Sequence, residues 1–138
     1  MSTIEKIVTG YHAAMLAKSA DALADLYAED AEHEFPFGGM PAYQGREQVR
    51  AGYRAAWDAS PGRVAEVRRV AVHTGDDPEV VVVEQETDVV VGDRRITVPG
   101  VIVLRIKDGV IVHNRDYLDV SAVARVLTSD QDAGEGGR

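Results

Sequence analysis

From residue 63 onward the chain carries four runs of β-forming residues, roughly 63–74, 79–91, 94–106 and 110–119. Between them stand Gly75-Asp76-Asp77-Pro78, Gly92-Asp93 and Lys107-Asp108-Gly109. Each separator is short and built from residues that accept tight-turn geometry, which leaves no room for a crossover, so consecutive runs must pair antiparallel. The second half of the chain is therefore expected to be an antiparallel meander. Pro99-Gly100 interrupts the third run, and a residue that cannot donate to a ladder points to a bulge or an edge position there.

The first sixty residues follow a different period. Ile4, Ile7, Val8, Tyr11 and Met15 recur at helical spacing. Leu23, Leu26 and Tyr27 repeat the pattern behind Ser19, a residue suited to cap a helix, with Asp21 in the following turn. Val49, Tyr53 and Trp57 mark a third helix, which Pro61-Gly62 ends. A short extended piece from Ala31 to Phe37 leads into the loop Gly38-Gly39-Met40-Pro41. A last helical piece is expected near 121–127, with residues 129–138 a mobile tail behind a single domain, 1–128. Helices first and a sheet afterwards make an α+β domain, in which a bent sheet buries one face against three or four helices and encloses a pocket between the layers.

Charge and composition narrow the function. A chain of 138 residues, 45% apolar and 28% charged, has the make-up of one globular domain. Its net charge of −8 has the wrong sign for binding a phosphate backbone or an anionic membrane surface. With no cysteine, disulfide scaffolds, thiolate metal sites and cysteine nucleophiles are excluded. No uncharged apolar run approaches the ~18 residues of a membrane span, and the charged start Met1 to Lys6 does not suit a signal peptide. The expectation is a cytoplasmic protein with neither nucleic acid nor membrane as partner.

Alternation along the second run places Glu84, Glu86 and Asp88 on one face and Val81, Val83, Thr87, Val89 and Val91 on the other. Two readings fit. Either the acids face water over a valine core, or they line a pocket in which crowded carboxylates cannot all ionise and at least one pKa is raised. In the last run Asn114, Asp116 and Leu118 share a face, and aspartate is a poor strand former, so Asp116 is the leading catalytic candidate. His33, between Glu32 and Glu34, is either an exposed residue or an acid–base group at a pocket mouth. Tyr11 is either a core residue of the first helix or a hydroxyl donor. His12, His33, His73 and His113 show no metal-ligand spacing, and no nucleotide-binding glycine loop or nucleophile elbow is present. Neither metal nor cofactor is expected.

Tyr27-Ala28-Glu29-Asp30-Ala31, then Glu34-Phe35-Pro36-Phe37, then Gly45-Arg46-Glu47-Gln48-Val49 resemble the nuclear-transport-factor-2-like superfamily in its SnoaL-like branch. Residues 100–119, with Lys107-Asp108-Gly109 and Arg115-Asp116-Tyr117-Leu118-Asp119, look like the closing hairpin of limonene-epoxide hydrolases. The resemblance covers roughly residues 5–127 and implies a cone-shaped curved sheet, a cystatin-like α+β barrel, wrapped by helices around a pocket. Beside ketosteroid isomerases, Tyr11 matches the helix tyrosine, while Phe35 and Ile102 stand where the two acids belong, which disfavours steroid isomerisation by that route. Beside limonene-epoxide hydrolases, Asp88 and Asp116 match the two aspartates, while Glu86, His33 and Phe35 replace the arginine, tyrosine and asparagine.

The resemblance also implies that Glu86 and Asp88 look into the same cavity as Asp116. The function so implied is a cofactor-independent isomerase, polyketide-type cyclase or epoxide-opening hydrolase acting on a hydrophobic small molecule. In it Asp116 is the acid or base, Asp88 and Glu86 set its pKa, and His33 and Tyr11 orient a substrate oxygen. The alternative is a non-catalytic ligand-binding or assembly module of the same fold. A homodimer is expected in either case, paired through an outer valine face of Val81, Val83 and Val89.

Overall fold

The computed structural model describes residues 2–135, the side chains of 127 and 129–135 excepted. Its elements run α1 (Thr3–Ala17), α2 (Ala20–Ala24), β1 (Tyr27–Glu34), β2 (Tyr43–Gln44), α3 (Arg46–Ala59), β3 (Arg63–Thr74), β4 (Val80–Val91), β5 (Arg94–Lys107), β6 (Val110–Leu118) and α4 (Val120–Glu135). The six strands form one curved sheet in the order β2-β1-β6-β5-β4-β3. From β3 to β6 the pairing is the antiparallel meander that the turns demand, whereas β1 joins β6 in parallel. That junction is possible because α3 and the meander lie between the two strands in sequence.

Caps explain where the helices begin. The Ser2 hydroxyl accepts from the Glu5 amide, and Ser19 does the same for Ala22. α2 is shorter than the apolar spacing suggests. Leu26 and Tyr27 leave the helix because β6 captures the chain: the Ile111 amide donates to the Leu26 carbonyl, and Tyr27 opens β1 opposite Ile111. At the other end α4 runs on to Glu135, past the piece expected near 121–127; residues 136–138 of the expected tail lie outside the described residues.

Pro99 does not sit at a bulge. It pairs in regular register with Glu86, and β6 takes up pairing only at Gly100, so at Pro99 the strand has a neighbour on one side only. The irregularity of this hairpin lies instead between Arg105 and Ile106.

Register decides which side chains face inward. Val83 lies opposite Ile102, and Ile102 opposite Asp116, so these three share the face that the helices cover. There Ile7, Val8 and Tyr11 of α1, with Leu23 and Val49, pack on Val81, Val83, Ile102, Leu104 and Ile111. Further along the same face, Ala122 and Val126 of α4 pack on Val89, Val91 and Val98. Among the described residues, no helix is long and apolar enough to cross a membrane.

α3 approaches the β1–β2 edge through Gly52, where an added Cβ would lie 2.2 Å from Tyr43 Cζ. The Tyr43 ring is itself held by His33, Phe35 and Tyr53. Replacing a helical glycine by alanine gains about 1 kcal/mol, but overpacking costs about 1–3 kcal/mol. Gly52→Ala is accordingly expected to lower stability by about 1 kcal/mol net in urea melts, and a gain would show that Tyr43 swings aside freely.

Candidate functional site

Under the helices, the inner face carries a buried polar cluster drawn from four elements. Asp116 and Asn114 come from β6, Tyr27 and His33 from β1, Tyr11 from α1 and Tyr53 from α3. Tyr53 donates to Asp116 Oδ2 at 2.8 Å, and His33 Nε2 lies 3.2 Å from the same oxygen. On its other side, His33 Nδ1 meets the Tyr27 hydroxyl at 2.8 Å. Asn114 Nδ2 donates to the Tyr27 hydroxyl at 2.9 Å and to that of Tyr11 at 3.1 Å. His33 and Asn114 are wholly buried, and Asp116 is 6% exposed. Asn114 Oδ1 is buried with no partner.

A carboxylate in such a place needs donors, and it has them in Tyr53 and His33. Both of these bonds end on Oδ2. Burial, and then the negative charge of Asp116, push the phenols of Tyr11 and Tyr53 well above the ordinary tyrosine value. Tyr27 is raised by burial and then by Tyr11. All three hydroxyls therefore stay protonated at neutral pH and serve as donors. Around them His33, Phe35, Tyr43, Tyr53 and Trp57 form a chain of aromatic contacts with centroids 4.8–6.1 Å apart, which walls the acid with apolar rings.

Asp116 and His33 lie side by side, with Tyr11 joined to their cluster through Asn114, but Glu86 and Asp88 do not join them. Both lie on the outer face, because the strand face opposite their own is the one in register with Ile102 and Asp116. Of the two readings that alternation leaves open, the outward one holds, and the cavity shared with Asp116 that the resemblance implies is corrected: Glu86 lines a cavity on the outer face instead. Asp88 is nonetheless only 4% exposed. Arg68 grips it in a fork at 2.6 and 2.7 Å, Arg95 reaches it at 2.7 Å and Thr97 donates at 2.8 Å. The Arg68 bonds, then those of Arg95, hold its pKa below the usual carboxylate range, the reverse of the rise expected from crowded acids. Glu86 pairs with Arg68 at 3.3 Å, and Glu84 with His73 at 2.6 Å. Val81, Val83 and Val89, expected on an outer pairing face, are buried beneath the helices instead.

Sequence reasoning missed three members of the cluster. In the sequence Tyr53 belongs to an apolar helix stripe with Val49 and Trp57, and Tyr27 follows helical spacing. Asn114 was seen to share a face with Asp116 but was given no role. The available signal was a tyrosine or asparagine on a face otherwise apolar, where a hydroxyl or amide needs a partner.

Two other polar groups bear on binding. On the inner face, His12 Nε2 donates to Gln85 Oε1 at 2.7 Å, and burial lowers the His12 pKa. On the outer face, Glu32, Glu34 and His113 offer ligand atoms all within 4.8 Å of one another, a donor set that could hold a cation.

The SnoaL-like domain family matches residues 8–114, a span that holds every member of the cluster except Asp116. Among solved structures, a hypothetical protein with a ketosteroid isomerase-like fold from Catenulispora acidiphila is 24% identical, with a TM-score of 0.73 over 88% of this chain and 91% of that one. A limonene-epoxide-hydrolase-like epoxide hydrolase from M. tuberculosis is 20% identical, with a TM-score of 0.67 over 96% and 95%. A candidate SnoaL-like polyketide cyclase from Jannaschia sp. CCS1 is 18% identical, with a TM-score of 0.72 over 92% of each chain. These likenesses establish the fold as the nuclear-transport-factor-2-like cone. No curated protein sequence matches the chain.

The Asp88 pairing has a pH signature. Because the native pKa is lowered, its contribution is complete above the ordinary aspartate value of about 3.9 and is lost as pH falls through the native one. Asp88→Asn should lower the melting temperature by several degrees at neutral pH, and the gap to wild type should narrow steadily as the pH is taken from about 4 towards 2. A gap of constant size across that range in thermal melts would contradict the assignment.

Proposed function

The chain belongs to the SnoaL-like domain family, and from that premise we propose that it is a cofactor-independent acid–base enzyme acting on a hydrophobic carbonyl compound. The observation that carries this reading is Asp116, a carboxylate buried among aromatic rings with one oxygen held by Tyr53 and His33. Held in this way, it takes a proton from the carbon beside a substrate carbonyl. Tyr11 accepts from Asn114, and its own O–H is the donor assigned to the oxygen on which negative charge develops. Returning the proton to another carbon completes an isomerisation. Attack of the same carbanion on a second carbonyl completes an aldol-type cyclisation, with Asp116 giving its proton to the new alkoxide.

Epoxide opening is the weaker reading. The chain of aspartate, arginine and aspartate to which the resemblance pointed is not gathered around Asp116, since Asp88 and its arginines occupy the other face of the sheet. Solved neighbours described as a polyketide cyclase and as ketosteroid isomerase-like in fold support the carbonyl chemistry as a class.

The same reading includes a homodimer, now through a different surface from the one expected. A cavity of about 530 Å³ opens on the outer face, lined by Phe37, Val70, Val101 and Tyr117 together with the acids Glu84 and Glu86. Phe37 is 73% exposed and Val70 55%, so apolar area is left for a second copy to cover.

Two measurements test these proposals. Exchange of α-protons into heavy water, followed by NMR for a panel of cyclic and aryl ketones, should reveal turnover by the wild type that Asp116→Asn slows by at least ~10²-fold. Equal rates would remove Asp116 from the mechanism. Sedimentation at micromolar concentration should give a dimer that Val101→Glu dissociates, and a monomeric wild type would sink the pairing.

A further inference from the structure

Each hydrogen in the buried cluster has a limited choice of acceptors, and following them along the cluster assigns the histidine's proton. Asn114 Nδ2 spends its two N–H groups on the hydroxyls of Tyr11 and Tyr27. The Tyr27 oxygen, once it has accepted, turns its own proton to the neighbour at 2.8 Å, which is His33 Nδ1. A ring nitrogen that accepts a hydrogen bond carries no proton. The imidazole proton must then sit on Nε2, where it faces Asp116 Oδ2 at 3.2 Å and the Tyr53 oxygen at 3.1 Å.

The opposite arrangement can be followed in the same way. With the Asn114 amide turned over, its oxygen accepts from both tyrosines, and Tyr27 becomes an acceptor for a proton on His33 Nδ1. Nε2 then points a lone pair at the Asp116 carboxylate across 3.2 Å, two acceptors face to face. One Asn114 atom lacks a partner in either arrangement, and in the observed one that atom is Oδ1. The difference between the two therefore lies at the Asp116 end, and it favours the proton on Nε2. A doubly protonated ring would need the Tyr27 oxygen as acceptor for Nδ1–H and would turn the phenol proton away from the ring, towards Tyr11, so the direction of the Tyr27 bond is what separates the two states.

We propose that Asn114 and Tyr27 are positioning residues which hold His33 as the neutral tautomer protonated on Nε2, so that a directed relay, Asn114 to Tyr27 to His33 to Asp116, delivers a donor to the acid. Neither Asn114 nor Tyr27 contacts Asp116 in the hydrogen bonds of the cluster; they act through the imidazole. The relay's part in catalysis rests on the function proposed above, whereas the tautomer does not.

Long-range proton–nitrogen correlation spectra of the uniformly labelled full chain at neutral pH read the tautomer directly and need no substrate. For His33 the expected pattern is a pyridine-like Nδ1 and a protonated Nε2. Tyr27→Phe removes the donor to Nδ1 and should move the His33 nitrogens towards the averaged values of exchanging tautomers. Asn114→Asp offers two acceptors where an amide N–H stood, turns the Tyr27 hydroxyl round, and should transfer the ring proton to Nδ1. If Asn114→Asp does not fold, Tyr27→Phe decides alone. A wild-type ring protonated on Nδ1, or on both nitrogens, overturns the proposal, as does a Tyr27→Phe variant whose His33 nitrogens keep their wild-type shifts. Should no ketone be turned over while the spectra match, the proposed function fails and the tautomer assignment stands.

Discussion

When β1 docks in parallel beside β6, the register sets His33 opposite Asn114 and brings an imidazole within 3.2 Å of a carboxylate 83 positions away in the chain. The interior chemistry depends on that pairing. A buried hydroxyl, amide or imidazole left without a partner costs about 1–3 kcal/mol, so the groups gathered here are tolerated because, Asn114 Oδ1 apart, they satisfy one another. A cluster with this much at stake forms as a unit, and one substitution within it disturbs the protons of its neighbours.

The two faces of the sheet divide the ionic work. Outside, Glu66, Glu86 and Asp88 interleave with Arg68 and Arg95, and these cations hold the Asp88 carboxyl below the usual carboxylate range. Inside, Asp116 has hydroxyls and an imidazole for company, groups that hold a charge and can also pass a proton. The proposed chemistry uses the inner arrangement, where the acid stands beside aromatic rings. The net charge of −8 is thus a poor guide to where the chemistry lies, since an acid from the conspicuous Glu84, Glu86, Asp88 row is part of a lattice on the sheet's other side.

The sheet was legible because turn residues and alternation act locally: 63–74 was read to the residue, and the other three runs to within one residue at either end. Asp116 could be singled out for the same reason, as an unfavourable residue on a strand. Facing was harder, because it is set by register between strands. Whether Asp116 shares a side with Val83 or with Glu84 depends on the alignment of β4, β5 and β6, and family likeness pointed to the wrong row. Tyr27 and Tyr53 were illegible for a tertiary reason. Tyr27 is drawn from helical spacing into β1 by pairing with β6, and Tyr53 becomes a donor only when α3 lies over Asp116. Hydroxyl roles of this kind depend on long-range contacts that no local pattern encodes.

On the proposed function, the inner cluster around Asp116 receives the ligand and the outer groove does not. A titration of the labelled protein with 2-naphthol, a flat apolar molecule with one hydroxyl, tests it by NMR. The largest shift changes should fall on Tyr53, His33 and the Asn114 side chain, and should be weakened by Asp116→Asn. Changes confined to Val70, Val101 and Tyr117, with the inner cluster silent, would contradict the account.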